Sequence, residues 1–333
     1  VSEKMRHALV EKLNTELIPV VWHSRKQNFF ETSSRVPLSF SATDHFITSE
    51  VFSSENRPGF YEFIEQSGVI SAAVFHDAIP LKFPEITWPQ SVARHPLYMR
   101  DLARLAHVFS VSEASQRDLA GFWDQMTISK RPGLSTLTLG ADFFDRSQTA
   151  WRHEPQAIPL LLNIGIIEPR KNQIELLEVA ENLWNTGLKF ELHFVGRINP
   201  HFGKPIEKKI RLAKKAGYSV QLHSKQSDGL LLDLYSRAHF TVFNSITEGF
   251  GLPVIESLWL GLPCITKALP SLTGFIDGST CRSADSREEL QSAIEHLLIH
   301  PNELARITSA ARERLLPTWE QTAQAIVDWK ENS

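Results

Sequence analysis

Two stretches of this sequence repeat one design, and it narrows the fold more than any other feature. Pro159 to Gly165 (PLLLNIG) and Phe190 to Gly196 (FELHFVG) are short, largely apolar runs that stop on glycine. Each is followed by a helix-like segment, from about Gln173 to Asn185 and from Pro205 to Ala216. Runs of this length suit strands covered on both faces, and strands alternating with helices pair in parallel through right-handed crossovers. Ser219 to His223, Phe240 to Phe243 and Pro263 to Thr266 continue the alternation as three more short strands. The second half is therefore expected to form a doubly wound parallel α/β sheet. In such sheets ligands sit at the carboxyl ends of the strands.

The first half carries the same character less cleanly. Ile18 to His23 (IPVVWH) and Val69 to Phe75 (VISAAVF) read as buried strands, with Val108 to Val111 and Ser135 to Leu139 as two more. Ser91 to Ala106 has a helical pattern, and Ser112 to Phe122 is a helix that starts on a Ser N-cap. Val1 to Leu13 reads as a helix with Met5, Leu9 and Leu13 on one face. A parallel α/β domain normally opens with a strand and a turn. Such a strand and its loop are thus expected to be missing from this sequence, or to belong to a shorter variant of the fold. Phe144 to Pro159, polar and carrying two prolines, reads as an interdomain connection. The expected domains are 1–148 and 149–316, followed by a closing helix in 317–333 whose tryptophans need an apolar surface.

At 333 residues the chain is long enough for two such domains. Its net charge of -3 gives no overall attraction to nucleic acid or acidic lipid. The two cysteines, Cys264 and Cys281, are too few for a disulfide framework and lack zinc-site spacing, so both are expected to be reduced. No apolar run approaches the roughly 20 residues of a membrane-spanning helix, and no signal peptide is visible.

The chemistry concentrates in Thr247 to Ser257, TEGFGLPVIES. It reads as a strand end, a Gly249-Phe250-Gly251 turn, and a helix entered through Leu252 and Pro253. The N–H groups at such a helix start form an anion site suited to a phosphate. Glu248 and Glu256 bracket the turn with seven residues between them. Two carboxylates facing a phosphate would repel it, so they make better sense as acceptors for hydroxyls, one on a sugar and the other on a ribose. After the first strand of this half, Asn163 to Gln173 (NIGIIEPRKNQ) places Arg170 and Lys171 at the sheet's carboxyl end, where a diphosphate needs positive charge. No Asp-x-Asp motif is present, no metal is proposed, and no G-x-G-x-x-G follows a strand as a dinucleotide-binding dehydrogenase requires.

These residues resemble the retaining glycosyltransferases of the GT-B fold, in particular the large family 4 group with its bacterial mannosyl- and glucosyltransferases. The likeness rests on Glu248–Glu256 with the wording EGFGLPVIE, and on E-P-R-K-N at 168–172. It implies two Rossmann-like parallel-sheet domains facing across a cleft, the acceptor in the first and a nucleotide sugar in the second. The closing helix would cross back onto the first domain. The resemblance implies Glu248 near the transferred sugar, Glu256 on the donor ribose, and Lys171 with Arg170 on the diphosphate. Gly165, Ser245 and Arg197 are weaker donor-site candidates, since Arg197 suits a plain loop and Ser245 a backbone cap equally well. In the first half, His76 of FHDAIP matches a stretch whose histidine faces the donor sugar, although a lone histidine is as often structural. The family's glycine-rich loop after the opening strand is absent here. After Thr266 the sequence KALPSLTG replaces the small residues and Pro-Glu usual in the family.

The implied function is metal-independent transfer of a hexose, with retention, to a saccharide or lipid-linked acceptor. Mannose from GDP-mannose is favoured over a UDP-sugar, in bacterial surface polysaccharide synthesis. The expected location is cytoplasmic, with a possible peripheral contact at the inner face of the plasma membrane; no cofactor is expected. The alternatives are a catalytically inactive glycosyltransferase-like partner subunit and a GT-B nucleotide-sugar epimerase.

Overall fold

The computed structural model describes residues 2–13, 17–142, 154–225 and 227–333. The chain divides into two compact units, one made of Val1–Gly140 with Pro317–Ser333 and the other of Ala141–Leu316. The expected domain boundary at 148, and most of the Phe144 to Pro159 connection, lie outside the described residues.

The first unit opens with α1 (Ser2–Leu13), whose Met5, Ala8 and Leu9 are buried. An antiparallel ribbon follows, β1 (Val20–His23) paired with β2 (Asn28–Glu31). Then come β3 (His45–Thr48), α2 (Phe60–Ser67), β4 (Ile70–Phe75), α3 (Ile79–Lys82), α4 (Pro89–Asp101), β5 (His107–Ser110), α5 (Glu113–Gln125) and β6 (Gly133–Thr136). β3, β4, β5 and β6 lie side by side in that order, all parallel. β4 is central and buried from Ser71 onward, which its small Ala72 and Ala73 permit under close-packed helices. Ser112 caps α5 as the sequence implied, its hydroxyl accepting from the Ser115 N–H at 3.1 Å.

IPVVWH is not the buried parallel strand that its apolar run suggested. It forms one arm of the ribbon, with Trp22 buried and Val21 52% exposed. Only alternate residues pack: Trp22 meets Phe29 at 5.1 Å and Phe60 at 5.7 Å, while the other face meets water. β6 also starts two residues before the expected Ser135, and Leu137 and Leu139 are buried beyond its end.

The second unit follows the alternation read from the sequence. It comprises β7 (Leu160–Ile164), α6 (Gln173–Asn185), β8 (Glu191–Val195), α7 (Gly203–Lys215), β9 (Val220–His223) and α8 (Asp228–Arg237). β10 (Phe240–Phe243), α9 (Leu252–Trp259), β11 (Cys264–Thr266), β12 (Cys281–Ser283), α10 (Arg287–Ile299) and α11 (Pro301–Glu313) complete it. The six strands are parallel in the order β12-β11-β10-β7-β8-β9. The chain thus winds outward from β7 to β9, returns to β10 beside β7, and winds the other way. Leu161, Leu192, Phe194, Val242 and Ile265 build one face of its core with Leu176, Ile210 and Ile294 from the covering helices. Cys264 and Cys281 face each other across β11 and β12 as buried free thiols.

From Pro317 the chain returns to the first unit as α12 (Trp319–Glu331), capped by Thr318. It packs on α1, buries Trp319, Ala323 and Ile326, and donates from Thr322 Oγ1 to the Thr138 carbonyl at 2.8 Å.

Candidate functional site

The winding direction reverses between β7 and β10, and in open α/β sheets that reversal opens a crevice at the carboxyl ends of the two strands. The two segments singled out from the sequence are the ones that leave those ends. After β7, Gly165 turns out of the sheet at φ +152, and a methyl there would lie 3.2 Å from Lys171 Cε, so the glycine makes room for the lysine stem. Gly196, after β8, comes closer still: an added Cβ would stand 1.9 Å from the Gly165 carbonyl oxygen. The two loops then run in register, with Ile167 N–H donating to the Arg197 carbonyl at 2.9 Å and Asn199 N–H to the Ile167 carbonyl at 3.1 Å.

Pro169–Lys171 forms one 3-10 turn, and Asn172 takes a left-handed φ of 53° before α6 begins. Its carbonyl accepts from Asn244 Nδ2 at 2.9 Å, and Ile246 N–H donates to the Arg170 carbonyl at 2.8 Å. These bonds sew the loop after β7 to the segment after β10. Beyond them the Gly249–Gly251 turn is fixed by buried Phe250, whose ring meets Phe275 edge-on at 5.6 Å. Gly251 holds φ +103, where a side chain would be strained and its Cβ would meet Leu272 at 2.5 Å. α9 then starts with Pro253 in its first turn and no side chain capping it.

Four charged side chains converge where the loops meet. Lys171 Nζ lies 2.5 Å from Glu248 Oε1, and Arg170 Nη1 lies 2.6 Å from Glu248 Oε2. Arg170 also pairs with Glu168, whose Oε2 accepts from Asn199 Nδ2 at 2.9 Å. Burial alone would raise the Glu248 pKa. The charges of Lys171 and Arg170, with hydrogen bonds from Lys171 and Ser245, outweigh it and hold the carboxyl at about 2. Burial lowers the Lys171 pKa from its ordinary range, with Glu248 opposing the shift and Arg170 adding to it. The result is a largely buried, charge-balanced cluster that can exchange partners with an anion carrying hydroxyl groups.

The structure thus brings together Gly165, Arg170, Lys171, Ser245, Glu248 and the Gly249–Leu252 turn. Glu256 lies half-buried on α9, just over one turn from its start. Arg197 turns its side chain to solvent and contributes its carbonyl to the loop pairing. His76 belongs to the first unit, at the carboxyl end of β4, where its Nε2 lies 2.9 Å from the Ser49 carbonyl oxygen. Sequence reading missed Glu168, Asn199 and a neighbouring group, Asn244 and Lys267 around Glu175. Glu168 was in plain view as the first letter of E-P-R-K-N, but its partner Asn199 is 31 residues away.

Two parallel α/β units, with this cluster at the switch point of the second, define a protein of the GT-B class. HepE from Anabaena, solved in complex with UDP and glucose, superposes with a TM-score of 0.67 at 13% identity, covering 86% of this chain and 78% of that one. Sucrose-phosphate synthase from Thermosynechococcus elongatus gives 0.65 at 20% identity, covering 82% and 70%. The chain belongs to the family "Glycosyl transferases group 1", whose sequence model matches residues 146–314. It is similar to the serotype-specific mannosyltransferase WbdA of Escherichia coli, 27% identical over 318 residues, which cover 87% of this chain and 37% of the relative. The O-antigen chain mannosyltransferase RfbU of Salmonella typhimurium is 32% identical over 235 residues, covering 70% and 62%. The chain therefore spans little more than a third of the length of WbdA.

Proposed function

We propose that the chain is a retaining hexosyltransferase, with mannose as its sugar, GDP-mannose as its donor and a saccharide or lipid-linked acceptor. The process is bacterial surface polysaccharide synthesis, at the cytoplasmic side of the membrane. The observation that carries this reading is the 2.5 Å contact between Lys171 and Glu248, a cation and a hydroxyl acceptor brought from opposite sides of the switch point. Lys171 and the α9 start receive the diphosphate, Glu248 accepts from a sugar hydroxyl, and Glu256 accepts from the ribose. The anomeric carbon loses its bond to the phosphate oxygen and gains one to the acceptor oxygen on the same face. The departing phosphate oxygen takes the acceptor's proton, so no protein nucleophile is assigned. Fixed positive charge on the leaving diphosphate is a transition-state contribution that the protein itself supplies, and no metal is assigned. The acceptor is assigned to the first unit, on the His76 side. Similarity to WbdA and RfbU supports mannose and a polysaccharide setting. Among the described residues no helix is long and apolar enough to cross a membrane.

Calorimetric titration with GDP, UDP and ADP tests the donor site. One nucleotide should be preferred, GDP on this reading, and Lys171→Ala and Glu256→Ala should each weaken it by about tenfold or more. A folded chain that binds none of the three removes the donor-site assignment. Binding without turnover of any donor would leave a glycosyltransferase-like partner subunit, and release of an altered sugar nucleotide an epimerase.

A further inference from the structure

Arg170 and Lys171 stand side by side in the sequence, yet the structure uses them differently. Arg170 is committed within the protein through all three of its nitrogens. Nε donates to Glu168 Oε1 at 3.0 Å, Nη2 lies 2.9 Å from the same oxygen, and Nη1 donates to the Thr247 carbonyl at 3.1 Å and to Glu248 Oε2 at 2.6 Å. A guanidinium is a rigid planar fork, so these contacts fix its plane as well as its place. Glu168 is held in turn by Asn199, whose Oδ1 accepts from the His201 and Phe202 N–H groups at 2.9 and 3.3 Å. A continuous chain of polar contacts therefore runs from the loop after β8 to the carboxylate of Glu248. The Arg170 charge is flanked by two carboxylates, which leaves it little net pull on an incoming anion. Lys171 lies against the single carboxylate of Glu248.

We infer that Glu168 and Arg170 are positioning residues that aim Glu248 at the sugar, and that Lys171 rather than Arg170 meets the diphosphate. This rests on the donor-site reading above and takes from Arg170 the diphosphate role that the sequence resemblance implied. Binding the diphosphate through Arg170 would require its guanidinium to release Glu168, which has no other ion-pair partner among the described residues, or to loosen Glu248, whereas Lys171 can turn on a flexible stem while Arg170 stays on Glu248.

Glu168→Gln and Arg170→Gln separate the two roles, with Lys171→Ala as the reference for a diphosphate ligand. The probe is the nucleoside diphosphate preferred by the wild type, titrated by calorimetry at low and high salt. The second readout is turnover of the matching sugar nucleotide, divided into kcat and KM, with thermal unfolding confirming that each variant is folded. Positioning predicts that Arg170→Gln keeps the nucleotide Kd within about threefold and its salt dependence unchanged, while kcat falls by about a hundredfold, the scale of a misaimed group. Glu168→Gln should lower kcat in the same direction by a smaller factor, without tightening nucleotide binding. A phosphate-binding Arg170 gives the opposite pattern: Arg170→Gln weakens the nucleotide as Lys171→Ala does, and Glu168→Gln, by freeing the guanidinium, tightens it. Either result overturns the inference. If Arg170→Gln fails to fold, the sign of the Glu168→Gln effect on nucleotide affinity still decides. Should the wild type bind no nucleoside diphosphate, the donor-site reading fails first and this inference falls with it. If Lys171→Ala alone loses affinity while kcat is untouched in the other two variants, only the positioning role falls.

Discussion

Glu248→Gln removes one charge from the cluster and keeps its shape, so it measures what the ion pairs contribute. In the folded protein the carboxyl is held at about 2, against an ordinary 4.5. A lowering of about 2.5 units corresponds to about 3 kcal/mol favouring the folded state when the group is ionised. Glutamine stands in for the protonated, uncharged acid and forfeits that term, leaving Lys171 buried without its partner. For a unit the size of residues 141–316, about 3 kcal/mol lowers the unfolding midpoint by about 6–12 °C. The sign of the pH dependence follows from the folded pKa lying below the unfolded one. The contribution is complete above about 4.5 and disappears as the pH falls through about 2. Chemical denaturation of wild type and Glu248→Gln should therefore differ by about 3 kcal/mol at pH 7 and by about 2 kcal/mol at pH 3.5. Equal stabilities at pH 7 would refute the charge argument outright. A gap that stayed constant down to pH 3 would also refute it, because lost packing does not titrate.

Three other perturbations follow from particular contacts. Gly196→Ala would press a Cβ to 1.9 Å from the Gly165 carbonyl oxygen at φ +155, and should cost at least about 3 kcal/mol in the unfolding of the second unit. His193 lies buried 3.3 Å from His223, and burial first, then the His223 charge, lowers its pKa to about 4. Its ring should stay neutral by NMR at pH 5, and as pH falls from 6.5 through 4 the wild type should lose stability that His193→Gln does not. Phe194→Ala, at a fully buried position in the same core as Leu161 and Val242, should cost about 3–5 kcal/mol by urea denaturation.

How legible the fold was depended on where burial came from. α6 and β10 were read to the residue, Gln173–Asn185 and Phe240–Phe243, because their apolar periodicity is their own. In the first unit β3 was overlooked: His45–Thr48 is short, lies at a sheet edge and carries two polar residues among four. α2 escaped notice too, since it begins on a left-handed Gly59 rather than on a capping side chain. β1 misled because an apolar run does not reveal that only every second residue will be covered. The turn at 249–251 and its flanking glutamates were legible as one segment. The pairing of Lys171 with Glu248 spans 77 residues, and topology, not spacing, produces it. Glu168 was legible as a letter of E-P-R-K-N, but its contacts on both sides, to Arg170 and to Asn199, were not.

The return of α12 bears on how the protein is made. The second unit is one continuous stretch, 141–316, whereas the first needs its opening residues and also Pro317–Ser333. During synthesis most of the first unit emerges before the second, but the surfaces later covered by Trp319, Ala323 and Ile326 must wait until residues 317–333 have left the ribosome. The unit that starts second can therefore finish first, the reverse of the usual N-terminal-first order. α1, with Met5 and Leu9 turned inward, spends that interval without its partner helix.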